Sequence, residues 1–103
     1  MTAKEISAKI NGEIAVDSDF DAKEFYVGDF LSRVMGKAPS NSVWITVMSN
    51  VNVAGVAVLA EIKIVVLCEG VVPAPQLVDR CREENIALVT TDKGAYECCR
   101  LLA

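Results

Sequence analysis

Three short runs of nearly unbroken apolar residues constrain this chain most. They are Val43-Trp44-Ile45, Ile64-Val65-Val66-Leu67 and Ile86-Ala87-Leu88-Val89. Each belongs to a strand-length segment, and helical patterns lie between and after them. Runs of this kind suit central parallel strands covered on both faces. Strands alternating with helices imply right-handed crossovers and a parallel sheet. With 103 residues, there is room for one such domain spanning 1–103. The sequence shows no internal repeat, low-complexity stretch or interdomain linker.

The spacing places the elements. Thr2-Ala3-Lys4-Glu5 fits a capping box for a helix over about 3–10, with Ala3, Ile6 and Ile10 on one face. Glu13–Val16 and Glu24–Val27 read as a short strand pair, with the acidic loop Asp17–Ala22 between them. Asp29 is placed to cap a short helix carrying Phe30, Leu31, Val34 and Met35, ended by Gly36. Ser42–Val47, Lys63–Cys68 and Ile86–Thr90 are the central strands. Asn50 or Asn52 caps a helix over Val53–Ala60, Pro75–Glu84 forms an amphipathic helix, and Thr91 or Asp92 caps a last helix. The expected fold is a single small α/β domain. A mainly parallel sheet has helices on both faces, with a βαβαβα second half, an N-terminal helix and a short strand pair.

Composition excludes several function classes. Ten Lys and Arg stand against fourteen Asp and Glu, a net charge of −4. The sequence pI is near 4.7. No basic cluster is available to neutralise phosphates, so nucleic acid is not an expected partner. The chain has no histidine, which removes Ser-His and Cys-His catalysis and imidazole-ligated metals. Ala38–Ala60 is uncharged, but its Pro, Ser and Asn residues make it strand-loop-helix and not a membrane span. Met1–Glu5 has no apolar signal core, so a cytoplasmic protein with reduced thiols is expected.

Motif by motif, little catalytic equipment emerges. Asp17, Asp19 and Asp21 have the opening spacing of a calcium loop. However, Ala22 stands where the turn glycine belongs, and Gly28 where the bidentate Glu belongs. Gly36-Lys37 lacks the rest of a Walker A motif: Leu31 and Ala38 occupy its first glycine and its Ser/Thr. Cys68, Cys81, Cys98 and Cys99 form no C-x-x-C. They read as core packing, with a thiol-based redox or metal-binding protein as the alternative. Cys68, at a strand end, is the best-placed accessible thiol of the four. No cofactor is implied.

The remaining candidates lie beyond the carboxyl ends of the parallel strands, where open α/β sheets bind ligands. Three loops meet that description: Met48–Asn52, Cys68–Gly70 and Thr91–Lys93. Ser49, Asn50, Asn52, Glu69, Gly70, Thr91 and Asp92 are the candidate ligand-binding residues, with Lys93 beside them. Two of these loops lead into helix starts, which favour anions. Ordinary helix capping is the competing account of the same polar residues.

The order of motifs then resembles a known family. Tyr26-Val27-Gly28-Asp29-Phe30-Leu31-Ser32, Val43-Trp44-Ile45-Thr46, Asn52–Leu59, and Ile64-Val65-Val66-Leu67-Cys68-Glu69-Gly70 look like a DRTGG domain. The tail Ile86–Thr91 with Tyr96-Glu97 fits as well. Two signatures depart from the family: Asn50-Val51-Asn52 stands for its Asp-Arg, and Cys68-Glu69-Gly70 for its Thr-Gly-Gly. The resemblance implies a small regulatory module of the kind that accompanies CBS domains in some pyrophosphatases. It is also similar to the N-terminal domain of HPr kinase, whose kinase motif is missing here. Such domains commonly self-associate.

The expected function is therefore a non-catalytic regulatory or interaction module. It is expected to be a homodimer, to have a possible protein partner, and to sense a small nucleotide-like or anionic ligand at the strand-end loops. Self-association would also account for 52% apolar residues and a mean hydropathy of +0.36 in so short a chain. The helix over Val53–Ala60 is apolar all round, so Val51, Val53, Val56 or Ala57 is expected near a subunit interface.

Overall fold

In the computed structural model, which describes residues 1–103, the elements follow the expected order. They are α1 (Ala3–Ile10), β1 (Glu13–Val16), β2 (Glu24–Val27), α2 (Leu31–Lys37), β3 (Ser42–Thr46), α3 (Asn52–Leu59), β4 (Ile64–Leu67), α4 (Pro75–Glu83), β5 (Ala87–Thr90) and α5 (Ala95–Leu102). One sheet holds all five strands in the order β1-β5-β4-β3-β2. Strands β2 to β5 are parallel, and β1 joins β5 antiparallel. The two short strands read as a pair are therefore not partners; they form the opposite edges of the sheet.

Strand alternation divides the core in two. Trp44, Val65, Leu67 and Leu88 face α2, α3 and α4 through Val34, Val53, Val56, Leu77 and Cys81. Val43, Ile45, Ile64, Val66, Ala87 and Val89 face α1 and α5 through Ala3, Ile6, Ile10, Cys98 and Leu102. Such continuous burial on both faces is why the central strands are apolar throughout. Three helices cover one face and two the other, as sequential right-handed crossovers require.

Helix α1 is capped as its sequence predicts. The Glu5 N–H donates to Thr2 Oγ1, and the Thr2 N–H donates back to Glu5 Oε1 at 2.9 Å. The caps expected from Asp29 and from Thr91 or Asp92 are not made. Phe30, Val51 and Gly94 occupy the N-cap positions of α2, α3 and α5, and none makes a side-chain cap bond. Asp29 instead accepts from the Thr46 hydroxyl at 2.7 Å and the Val47 N–H at 2.9 Å, tying the end of β2 to the end of β3. Asn50 does act as expected: it accepts from the Asn52 N–H at 2.9 Å, ahead of Val51, whose backbone is already helical at φ −62° and ψ −23°. Thr91 is turned toward α1.

Helix α3 is less enclosed than its composition suggests, and the residues expected near an interface, Val51, Val53, Val56 and Ala57, are divided between its exposed and buried sides. Val53, Val56 and Ala57 are 0, 7 and 0% exposed within a single chain, so they belong to the core. Val51, Val58 and Leu59 carry the exposed side, with Leu59 74% exposed. No helix is long and apolar enough to cross a membrane.

Candidate functional site

Helix α4 follows β4 onto one face of the sheet, and α5 follows β5 onto the other. The two connections diverge at the carboxyl ends of adjacent strands. This is the place where open α/β sheets form ligand crevices. An open groove of about 390 Å³ lies there, lined by Gly70, Val71, Val72, Pro73, Thr90, Thr91 and Asp92. Asn11, Glu13 and Ala15 close its far side. They reach it because β1 runs antiparallel to β5, with Glu13 opposite Thr90.

The loops that frame the groove are braced by each other. The Glu69 N–H donates to the Lys93 carbonyl at 2.9 Å, and the Gly70 N–H to the Thr91 carbonyl at 2.9 Å. The Ala74 N–H donates to the Ser49 carbonyl at 2.9 Å, so the third loop is tied in as well. Thr91 is buried. Its hydroxyl donates to the Ile10 carbonyl at 3.1 Å and accepts from the Lys93 N–H at 3.3 Å. That bond satisfies a carbonyl at the C-terminal end of α1. Thr91 therefore serves as a brace more than as a free ligand donor.

Of the candidate residues, Gly70, Thr91 and Asp92 come together in this groove. Glu69 is exposed in the same turn, at φ 61°, but does not line it. Ser49 and Asn50 sit on the neighbouring loop. Asn52 lies on a separate shallow groove between α2 and α3, with Leu31, Met35, Leu59 and Arg80. Sequence reasoning missed Asn11, Glu13, Val71, Pro73 and Thr90. Only the placement of β1 beside β5 puts Asn11 and Glu13 there, and no local pattern announces it.

The groove's charge is acidic. Glu13 and Asp92 are its ionisable residues, and no Lys or Arg lines it. Lys93 is directed to Glu97, 3.9 Å away. Gly70 holds φ at 71°, and a Cβ there would lie 3.2 Å from Asp92 Oδ1. Gly70→Ala is accordingly expected to destabilise the fold by about 1 kcal/mol through left-handed backbone strain. Urea unfolding checks this.

The cysteines are free and do not converge. Cys68 and Cys98 lie 3.9 Å apart, Sγ to Sγ, under α1 and α5. Cys81 is in the opposite core, across the sheet. Cys68 is fully buried, contrary to its expected accessibility; Cys99 is the half-buried one. Burial pushes the Cys68 thiol up from its ordinary value of 9.0 to about 12, and Cys81 to about 11. Raised thiols are poor nucleophiles at neutral pH. No three His, Cys, Asp or Glu side chains are grouped to hold a metal ion.

The thiol shifts have a consequence for stability. The unfolded chain ionises its thiols near pH 9, while the folded chain holds these two protons to about pH 11 and 12. The stabilisation is complete below pH 9 and is lost as pH rises from 9 to 12. Chemical denaturation across that range is expected to show the decline, and Cys68→Ala should flatten it.

No family model matches the sequence, and no curated protein matches it. A solved structure does share its architecture: the crystal structure of the CBS and DRTGG domains of the regulatory region of Clostridium perfringens pyrophosphatase, complexed with activator, diadenosine tetraphosphate. The TM-score is 0.82 at 13% sequence identity. The fold is DRTGG-like. The match covers 98% of this chain and 45% of that one, so this DRTGG-like domain spans less than half of its neighbour's length. Its departures from the family signature fall in two places. Asn50-Val51-Asn52 lies outside the groove, and Cys68-Glu69-Gly70 contributes only Gly70 to it.

Proposed function

We propose that this domain is a non-catalytic regulatory or interaction module that self-associates and takes a small ligand in the groove between the β4 and β5 loops. The observation that carries this reading is the likeness to a pyrophosphatase regulatory region across nearly the whole chain. That neighbour is complexed with a nucleotide activator. The groove's position between two diverging strand ends supports a ligand there in this chain.

The lining refines the ligand's chemistry. Glu13, Asp92 and the Asn11 amide suit hydroxyl and amino donors, as a sugar or base presents them. Two carboxylates with no cation repel phosphate. A nucleoside end therefore belongs in the groove, with any phosphates left in solvent, and the anionic expectation gives way to a neutral or cationic one.

Amide chemical-shift titrations with adenosine, adenosine monophosphate and diadenosine tetraphosphate test this. Adenosine is expected to move the Gly70–Val72 and Asp92 signals at least as strongly as the phosphorylated ligands. At a hundred times its dissociation constant it should add about 2.7 kcal/mol of stability. Silence at these residues with all three ligands would remove the ligand half of the proposal.

A further inference from the structure

The two edges of the sheet are treated differently. Strand β1 is interrupted by a bulge between Ile14 and Val16, a device that spoils edge pairing. Strand β2 is regular, with four consecutive partners on β3 and none on its outer side. Phe25 and Val27 are 40% and 46% exposed on that open edge. Both lie on the face covered by only α1 and α5. Phe25 also borders an apolar notch of about 350 Å³ with Ile45, Cys99, Leu102 and Ala103. An open, regular, apolar edge is a template for another strand.

The direction of the free backbone groups sets the register. The Gly28 N–H donates inward, to the Ile45 carbonyl at 3.1 Å. Strand groups alternate sides, so Tyr26 and Glu24 also point inward and Phe25 and Val27 point outward. A second strand must then bond to Phe25 and Val27. For a two-fold pairing of β2 with itself, three antiparallel registers satisfy this. Setting Phe25 against Phe25 opposes Asp21 and Asp29, two carboxylates. Setting Val27 against Val27 opposes Lys23 and Leu31 and uses fewer strand residues. Setting Phe25 against Val27 uses all of β2 and brings Lys23 of each copy, which pairs with its own Asp21 at 3.0 Å, near the Asp29 carboxylate of the other, whose Oδ1 is held by Thr46 and Val47. Opposite charges facing across strands stabilise, and like charges destabilise.

Resting on the self-association reading above, we infer that the occupant of this edge is a second copy of the chain. It pairs antiparallel through β2, with Phe25 against the partner's Val27 and Tyr26 against the partner's Tyr26. The result is one continuous sheet across the two-fold axis. It covers the apolar β2 edge of both copies and leaves only the bulged β1 edges outside. The symmetric pairing closes the assembly at two chains.

Three measurements test the interface. Sedimentation should show a wild-type dimer at micromolar concentration. Val27→Lys changes an exposed residue and should stay folded, melting cooperatively below the wild-type dimer and with less dependence on concentration. It puts one lysine per copy into the apolar pairing and should raise the dimer dissociation constant about a hundredfold or more. In the register inferred, Tyr26 faces itself in a close, non-hydrogen-bonded pair. Tyr26→Cys should therefore cross-link under copper-phenanthroline oxidation to twice the 11.1 kDa chain mass, whereas wild type should not. A wild-type dimer that Val27→Lys leaves intact overturns the β2 edge while self-association stands; the apolar groove of Met35 and Leu59 would then be the next interface to test. A dimer that Val27→Lys dissociates, with a folded Tyr26→Cys that does not cross-link, overturns the register. A wild-type monomer overturns both readings. If Tyr26→Cys does not fold, Val27→Lys decides alone.

Discussion

Val56→Asp is expected to leave the chain without a cooperative unfolding transition, and so without a dimer to measure. Val56 is 7% exposed and packs in the core cluster that holds Trp44, Val65 and Leu77. A carboxylate there would enter an apolar cluster; Arg80 lines the adjoining groove but is already paired with Glu84 at 3.6 Å. Burying it unpaired forces either ionisation in an apolar medium or protonation far above its normal range. The cost, about 4 kcal/mol or more, is comparable with the whole stability of a small domain. Leu59→Asp, on the same helix but 74% exposed, is the control and should change stability by less than about 0.5 kcal/mol. Circular dichroism during urea titration separates the two. A Val56→Asp protein that folds normally but no longer self-associates would return α3 to the interface.

The second large effect is expected at Trp44. It is the only tryptophan and is fully buried, on the strand next to the middle of the sheet. Its Nε1–H donates to the Gly28 carbonyl at 2.8 Å, joining β3 to the turn after β2. Trp44→Ala should lose about 3–5 kcal/mol, the range for emptying a large aromatic site. Trp44→Phe keeps most of the apolar contact but removes the donor. It should cost about 1–3 kcal/mol for the Gly28 carbonyl left without a partner. Because Gly28 continues the edge strand, Trp44→Phe is also expected to speed amide exchange at the end of β2. Equal losses for Phe and Ala would mean the hydrogen bond carries the effect and the ring packing little.

Much of this fold is legible in the sequence because its signals are local. Thr2 and Glu5 cap α1 through bonds three residues apart, and the central strands announce themselves as apolar runs between turn residues. Alternating strands and helices then leave few topologies open. The fate of Asp29 and Thr91 was not legible because polar side chains choose among hydrogen-bond partners that the sequence does not place in space. Asp29 has the chemistry of a helix cap, yet Thr46 and Val47 from a neighbouring strand offer it two donors. Thr91 could cap α5, yet the carbonyl end of α1 lies within reach of its hydroxyl. Three of the ten residues lining the candidate groove were foreseen. Gly70, Thr91 and Asp92 sit at strand ends, a rule of the fold, whereas Asn11 and Glu13 arrive with an antiparallel edge strand.

Hydrophobic pattern alone determined that this chain would build a parallel α/β sheet covered on both faces, because burial on two sides demands strands apolar at every position. It also determined that apolar surface would be left over. The tertiary structure decided where. Val53, Val56 and Ala57 turn inward to meet Trp44 and Val65, while Phe25 and Val27 remain bare on an edge. An apolar residue records that it avoids water, but only the packed neighbours decide whether that shelter comes from its own chain or from another.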